Sequence, residues 1–131
     1  MKTFKILMII GVVSVGLLSF TKMVQEEWKV PAKYQTMKNP VEASKANIDL
    51  GKTLYAKHCK SCHGKEGLGD GPKAEEVDGD LGDFSSKKFQ AQTDGALFYK
   101  SYIGRDDMPN YEKKMPEKDD VWAIVHYMRT L

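Results

Sequence analysis

Cysteine and an excess of either charge are both scarce in this chain of 131 residues. Two cysteines are too few for a disulfide-dense secreted scaffold. The 20 basic and 18 acidic residues leave a net charge of +2. We therefore expect no nucleic-acid partner, because nucleic-acid binders normally present a basic face. The chain has no internal repeat of the length that builds a solenoid, and its size supports one small domain.

Long hydrophobic runs are absent except near the N-terminus. Residues 6–21 form an uncharged run of 16 positions that follows Lys2 and Lys5. A basic start before an apolar run is typical of a secretory signal, whereas a membrane span needs about 20 predominantly apolar residues. No Ala-x-Ala cleavage site follows the run. We therefore expect export, with residues 1–21 either a cleaved signal peptide or a retained N-terminal anchor that tethers the chain through residues 6–21.

Residues 22–45 are predicted to be a linker. They are mostly polar, contain Pro31 and Pro40, and show no sustained hydrophobic period. A residue before proline is biased to extended geometry. Trp28 and Tyr34 are nevertheless available to pack on the domain that follows, so disorder is not predicted for this segment.

Residues 46–131 are predicted to form an all-α domain of few helices with long loops. The first helix starts at Ala46, with Asn47 or Asp49 as its N-cap, and runs into Cys59. Its apolar face is predicted to contain Ile48, Leu50, Leu54 and Tyr55. Glycine punctuates a loop over residues 64–92, and no alternating strand pattern appears.

Two further helices follow this loop. Thr93 or Asp94 caps a short helix that stops at Gly104. The last helix carries acidic residues in its first turn and Arg129 in its last, which suits the helix macrodipole. Its apolar stripe is formed by Val121, Ile124, Val125 and Met128.

The two cysteines lie in the run Cys59-Lys60-Ser61-Cys62-His63, which is the c-type haem attachment signature. Each thiol can add across one vinyl group of the porphyrin and form a thioether. Two cysteines about one helical turn apart suit the two vinyl groups. His63 is then carried under the macrocycle, where a ring nitrogen can bind the iron. Attachment of haem on the outer side of the bacterial membrane agrees with the export signal.

Three other readings of the run are weaker. A thioredoxin-like Cys-x-x-Cys requires a βαβ context, which is absent from the sequence pattern. A structural zinc needs four ligands. Four ligands are available in Cys59, Cys62, His63 and either His58 or His126, but these residues do not have a usual zinc-finger spacing. A simple disulfide leaves His63 unexplained.

Residues 46–131 resemble a class I monohaem c-type cytochrome domain of bacterial type. The matching segments are 51–55, 59–64, 67–72, 108–111 and 121–129. The resemblance implies a small cytochrome c fold wrapped around one haem c, attached through Cys59 and Cys62, in the periplasm or at the periplasmic face of the membrane. It also implies that the first and last helices cross, with Gly51 and Tyr55 meeting Tyr127.

The resemblance also concerns the two sides of the iron. It implies that the backbone carbonyl of Pro72 accepts a hydrogen bond from the second ring N–H of His63. On the other side, Met108 is predicted to be the sixth ligand, because it lies in a charged loop rather than on an apolar helix face. Met115 is predicted to pack as an apolar staple beside the last helix. His58 is predicted to point away from the iron, and His126 to be partly exposed.

A haem ligated by His63 and Met108 suits a carrier that passes single electrons between redox partners, rather than an enzyme. Two alternatives stay open. One is a haem with an open or displaceable sixth position, as in a sensor of small ligands or an enzyme. The other is an electron-relay subunit of a larger respiratory complex in the membrane. The acidic residues between Asp70 and Asp83 are expected to form a solvated loop.

Overall fold

The computed structural model describes residues 27–131, so the predicted signal or anchor lies outside the described residues. The described residues form six α-helices and one 3-10 turn, without a β-strand, which confirms the all-α class. The elements are α1 (Ala32–Gln35), α2 (Lys45–His58), α3 (Lys60–His63), the 3-10 turn (Ala74–Glu76), α4 (Lys87–Gln90), α5 (Asp94–Ile103) and α6 (Lys118–Met128). No helix within residues 27–131 has the length and apolarity to cross a membrane.

The crossing of α2 and α6 organises the fold. A Cβ atom on Gly51 would lie 2.0 Å from the carbonyl oxygen of Ala123, so only glycine allows the two backbones to come this close. One turn later, the rings of Tyr55 and Tyr127 pack with their centroids 5.2 Å apart. The crossing implied by the resemblance is therefore confirmed.

Helix α2 starts earlier than predicted. Ser44 is its N-cap, and the Ser44 hydroxyl accepts a hydrogen bond from the backbone N–H of Asn47 at 3.3 Å. The predicted caps Asn47 and Asp49 are wrong, because both lie inside the helix. The prediction that Leu50 lies on the apolar face is wrong, because the buried side of α2 runs through Gly51 and Tyr55 and Leu50 is 43% exposed.

Helix α5 agrees with its prediction at both ends. The Thr93 hydroxyl accepts from the backbone N–H of Ala96 at 3.2 Å, so Thr93, rather than Asp94, is the N-cap. Gly104 ends the helix with a φ of 73°, a left-handed conformation that favours glycine.

The core gathers around α6. It is formed by Tyr55, Phe84, Leu97, Phe98, Tyr102, Tyr111, Met115, Val121, Trp122, Ile124, Val125, Tyr127 and Met128. The predicted stripe of α6 is buried, and Trp122 extends the buried surface by stacking on Phe98 at 4.1 Å between centroids. Met115 is only 4% exposed, as its predicted packing role requires.

The described part of the predicted linker lies against the helices. Helix α1 packs on α5, where Tyr34 contacts the rings of Phe98 and Tyr99. The side-chain amide of Asn39 donates to the carbonyl of Trp122 at 3.0 Å. Residues 28–41 thus cross α5 and α6 instead of extending away from them. We call this segment the strap.

Candidate haem site

Helix α3 brings the two cysteines and His63 together. It follows α2 directly, with Cys59 as the residue between them. The backbone N–H groups of Cys62 and His63 both donate to the carbonyl of Cys59, at 3.2 and 3.0 Å. This single turn places the two thiols about one helical turn apart. Both cysteines are free thiols and partly buried, so the disulfide considered from the sequence is not formed.

The surroundings of Cys59 keep its thiol in the protonated form. Burial, followed by the nearby Cys62, raises the pKa of the Cys59 thiol to about 12. A thiol with so high a pKa is protonated at neutral pH and lacks the thiolate character of a redox-active cysteine. The environment of Cys59 therefore argues against the thioredoxin-like interpretation.

His63 is oriented by its surroundings. Its Nδ1 lies 3.2 Å from the carbonyl oxygen of Leu81, and its ring packs on Phe84 with centroids 4.8 Å apart. A carbonyl only accepts, so Nδ1 carries the proton and Nε2 keeps its lone pair. Burial lowers the pKa of His63, although the Leu81 hydrogen bond opposes this shift. The ring is thus a neutral imidazole whose Nε2 is suited to bind a metal.

The prediction that Pro72 accepts the hydrogen bond from His63 is wrong, because Leu81 supplies that carbonyl. The turn containing Pro72 packs on the backbone of α3 instead. The N–H of Gly71 donates to Cys62 at 3.1 Å, and the N–H of Lys73 donates to Ser61 at 2.8 Å. The chain then continues through the 3-10 turn before Leu81 reaches the ring.

Met108 lies in a closed turn after α5. Its N–H donates to the carbonyl of Arg105 at 2.8 Å, and the N–H of Arg105 donates to the carbonyl of Met108 at 3.0 Å. Asp106 inside the turn has a φ of 52°. The Asp107 carboxylate accepts from the N–H of Asp78 at 2.9 Å. The turn that carries Met108 is therefore joined to the loop that carries Leu81.

Tyr111 and Leu81 make hydrogen bonds at the site that the sequence did not predict. The buried Tyr111 hydroxyl donates to the carbonyl of His58 at 2.6 Å. This bond links the segment after Met108 to the residue just before Cys59. The Tyr111 aromatic ring followed a Met-Pro pair in the sequence, and Leu81 was the apolar residue between Asp80 and Gly82. Both residues are visible in the sequence, but nothing in the residues next to them indicates the hydrogen bonds that they make.

The remaining histidines are engaged elsewhere. The ring of His58 meets the edge of Tyr111, with centroids 5.7 Å apart. His126 lies 2.7 Å through Nε2 from the carbonyl of Val41. Among residues 27–131, no group of three or more His, Cys, Asp or Glu side chains is placed to hold a metal ion. The zinc reading gains no support from this part of the chain.

A family model described as cytochrome c matches residues 48–131. This chain belongs to the cytochrome c family. The matched range begins within α2 and runs through α6, and it includes Cys59, Cys62, His63 and Met108. The resemblance noted from the sequence motifs is therefore confirmed at the level of the family.

One solved structure similar to the cytochrome c domain comes from the reducing HAO-like protein complex of Kuenenia stuttgartiensis. The two share 28% sequence identity with a TM-score of 0.61, and the match covers 81% of this chain and 50% of that chain. This chain thus spans about half the length of its structural relative. No curated protein matches the sequence.

The residues of this cytochrome c domain fit a covalently attached haem. Two free thiols stand about one turn apart, and the next residue is a histidine with Nδ1 engaged and Nε2 available. Cys59 and Cys62 would hold the two vinyl-derived carbons, and His63 would bind the iron.

Proposed function

We propose that this chain is an exported monohaem c-type cytochrome that transfers single electrons between redox partners. The observation that carries the proposal is the orientation of His63. The ring is fixed between the Leu81 carbonyl and Phe84, directly after two free thiols. The haem supplies the one-electron couple of its iron. The chain's own residues orient the ligand, exclude water and keep the site rigid.

The hydrogen bond from His63 to Leu81 has a defined task in this proposal. A second partner on the other ring nitrogen fixes a ligating histidine and raises its basicity. The backbone carbonyl is held by the fold, so the ring direction does not depend on a mobile side chain. An electron carrier benefits because little rearrangement then accompanies a change of oxidation state.

We propose Met108 as the sixth ligand of the iron. Met108 is partly buried against the core and lies in a turn closed by two backbone hydrogen bonds. Met115, in contrast, is 4% exposed and packs in the core beside α6. Methionine opposite histidine raises the reduction potential of a haem.

The ligand is tested by a matched pair of variants in the haem-loaded protein. Met108→Ala is expected to remove the weak thioether-to-iron absorption of the oxidised state, lower the potential and open the ferrous iron to carbon monoxide. Met115→Ala is expected to do none of these and to lower the free energy of unfolding by about 2–5 kcal/mol. If the wild-type ferrous protein binds carbon monoxide readily and Met108→Ala changes nothing, the iron is open and the protein is a sensor or an enzyme.

A second candidate is an electron-relay subunit of a larger assembly. It is favoured by the likeness to a chain of an HAO-like complex, of which this chain covers 50%. Size-exclusion chromatography of extracts from the native cell, monitored by haem absorbance, separates the two candidates. A free carrier elutes near the mass of one chain, whereas a relay subunit elutes with its partners.

The export part of the proposal rests on the sequence pattern of residues 1–21, with which covalent haem attachment outside the membrane agrees. N-terminal sequencing of the native protein after cell fractionation tests it. A soluble periplasmic protein that starts between residues 17 and 28 is a carrier whose signal was cleaved. A protein that starts at Met1 in the membrane fraction is a tethered carrier. A protein that starts at Met1 in the cytoplasmic fraction contradicts export.

A further inference from the structure

The strap, residues 28–41, is attached to the domain at several separate points. A Cβ atom on Gly95 would lie 1.9 Å from the carbonyl oxygen of Tyr34, so α1 sits directly on the first turn of α5. Asn39 is bonded to the carbonyl of Trp122, and Val41 to His126. The course of the strap is therefore determined by contacts along α5 and α6.

The N-terminal end of the strap reaches the turn that carries Met108. The guanidinium carbon of Arg105 lies 4.7 Å from the centroid of the Trp28 ring. The ammonium group of Lys100, in the last turn of α5, lies 5.8 Å from the same centroid. Both distances fall within the range at which a cation is attracted to an aromatic face. Trp28 is partly buried, and the Arg105 side chain is 27% exposed.

Arg105 transmits this contact to Met108. The two residues exchange both backbone hydrogen bonds that close the turn, so the backbone of Met108 cannot shift without displacing Arg105 or breaking those bonds. Gly104 hinges the turn to α5 with a positive φ. The Trp28 ring contacts Lys100 before Gly104 and Arg105 after it, so it spans the junction between α5 and the turn.

We propose that Trp28 is a positioning residue for the Met108 turn, and that the strap thereby sets how readily an outside ligand displaces Met108 from the iron. This inference rests on the proposed role of Met108 as the sixth ligand. It gives a role in iron ligation to a segment that lies before the residues matched by the cytochrome c family.

The test uses the full, haem-loaded chain in the ferric state, titrated with imidazole. Imidazole binds the iron only when Met108 moves away. Trp28→Ala is expected to raise the apparent affinity for imidazole about two- to fivefold, the range that corresponds to a partly exposed cation–π contact. The thioether-to-iron absorption should persist when imidazole is absent. Trp28→Phe, which keeps an aromatic face, should recover part of the effect.

Two further variants separate a specific contact from general loosening. Asn39→Ala releases the strap at α6, far along the chain from the turn, and should leave the affinity for imidazole unchanged. Arg105→Ala should raise the affinity, and adding Trp28→Ala to it should raise it by less than Trp28→Ala does alone, because the Trp28–Arg105 contact is already lost while the Trp28–Lys100 contact remains.

The outcomes distinguish a failure of the proposed role of Trp28 from a failure of the proposed ligation by Met108. Unchanged affinity in Trp28→Ala, an equal rise in Asn39→Ala, or additive effects of Trp28→Ala and Arg105→Ala would each overturn the role of Trp28. All three leave Met108 as the ligand, provided that the wild type shows the thioether-to-iron absorption and Met108→Ala loses it. Absence of that absorption in the wild type removes the proposed ligation itself.

Discussion

At the scale of single residues, Gly51 decides how closely α2 and α6 approach. The space where its Cβ would stand is filled by the backbone of Ala123. Backbone atoms cannot rotate aside as the end of a side chain can. The position therefore tolerates no larger residue unless the two helices separate, and their separation would loosen the Tyr55–Tyr127 contact one turn away.

Gly51→Ala is expected to lower the free energy of unfolding by about 1–3 kcal/mol, the usual effect of overpacking. Alanine favours an isolated helix over glycine by about 1 kcal/mol, so any destabilisation measures the crossing itself. Denaturant unfolding of the haem-loaded protein gives the value. Lys52→Ala is the control, because Lys52 is the exposed neighbour on the same helix and should change stability by less than about 0.5 kcal/mol. A Gly51→Ala variant as stable as the wild type would contradict the close crossing.

At the scale of elements, α3 is held from several sides. It continues from α2 through Cys59, the turn at Gly71 and Lys73 bonds its carbonyls, and the Leu81 loop holds His63. The hydroxyl of Tyr111 fixes the end of α2 from the segment that follows Met108. The short helix with the haem-binding residues thus depends on partners from the rest of the domain.

Tyr111→Phe tests one of these partners. Loss of the hydrogen bond to His58 is expected to lower the free energy of unfolding by about 0.5–1.5 kcal/mol at pH 7, because the partly buried carbonyl of His58 loses its donor. Burial raises the pKa of Tyr111 to about 12, above the ordinary value of about 10 in an unfolded chain. The neutral hydroxyl is therefore favoured in the folded state, and its stabilisation is fully present below pH 10. It is lost as the pH rises from about 10 to about 12.

Denaturant unfolding of both proteins between pH 7 and pH 12 measures this difference. Because the other tyrosines are common to both chains, subtraction isolates Tyr111. The advantage of the wild type should shrink above pH 10. A difference that stays constant over this range, or is absent at pH 7, would contradict the hydrogen bond and the shifted pKa.

At this scale, the sequence predicted the features that depend on residues close together along the chain. The haem-binding run, the Thr93 cap of α5 and the apolar stripe of α6 each depend on residues a few positions apart. The contacts that it missed join distant residues. Leu81 lies 18 positions from His63, and the bond from Asn39 to Trp122 spans 83 positions. No local preference marks one loop carbonyl over another as the partner of a histidine, so the residues themselves could not correct the Pro72 contact that the family resemblance implies.

The strap shows a related limit. Its polar composition and two prolines predicted a linker, because nothing in residues 22–45 repeats with a helical period. The structure places Tyr34 on α5 and Val41 on α6. Single anchoring residues separated by polar ones are sufficient to dock a segment on a surface, but they leave no periodic pattern.

At the scale of the whole molecule, the contacts described above form a frame around His63 and Met108. The Leu81 loop is joined to the Met108 turn through Asp78 and Asp107, and the Met108 segment is joined to α2 through Tyr111. Such a frame resists movement of either residue. It supports the proposal of a haem that exchanges electrons without binding or releasing another molecule.

The central claim is one haem held covalently by Cys59 and Cys62, and the intact mass of the exported protein tests it most directly. After denaturation and acid extraction, the wild type should retain the mass of one haem. A Cys59→Ala, Cys62→Ala double variant should lose that mass under the same treatment. A wild-type chain recovered without haem, carrying zinc or only a disulfide between the two cysteines, would contradict the account.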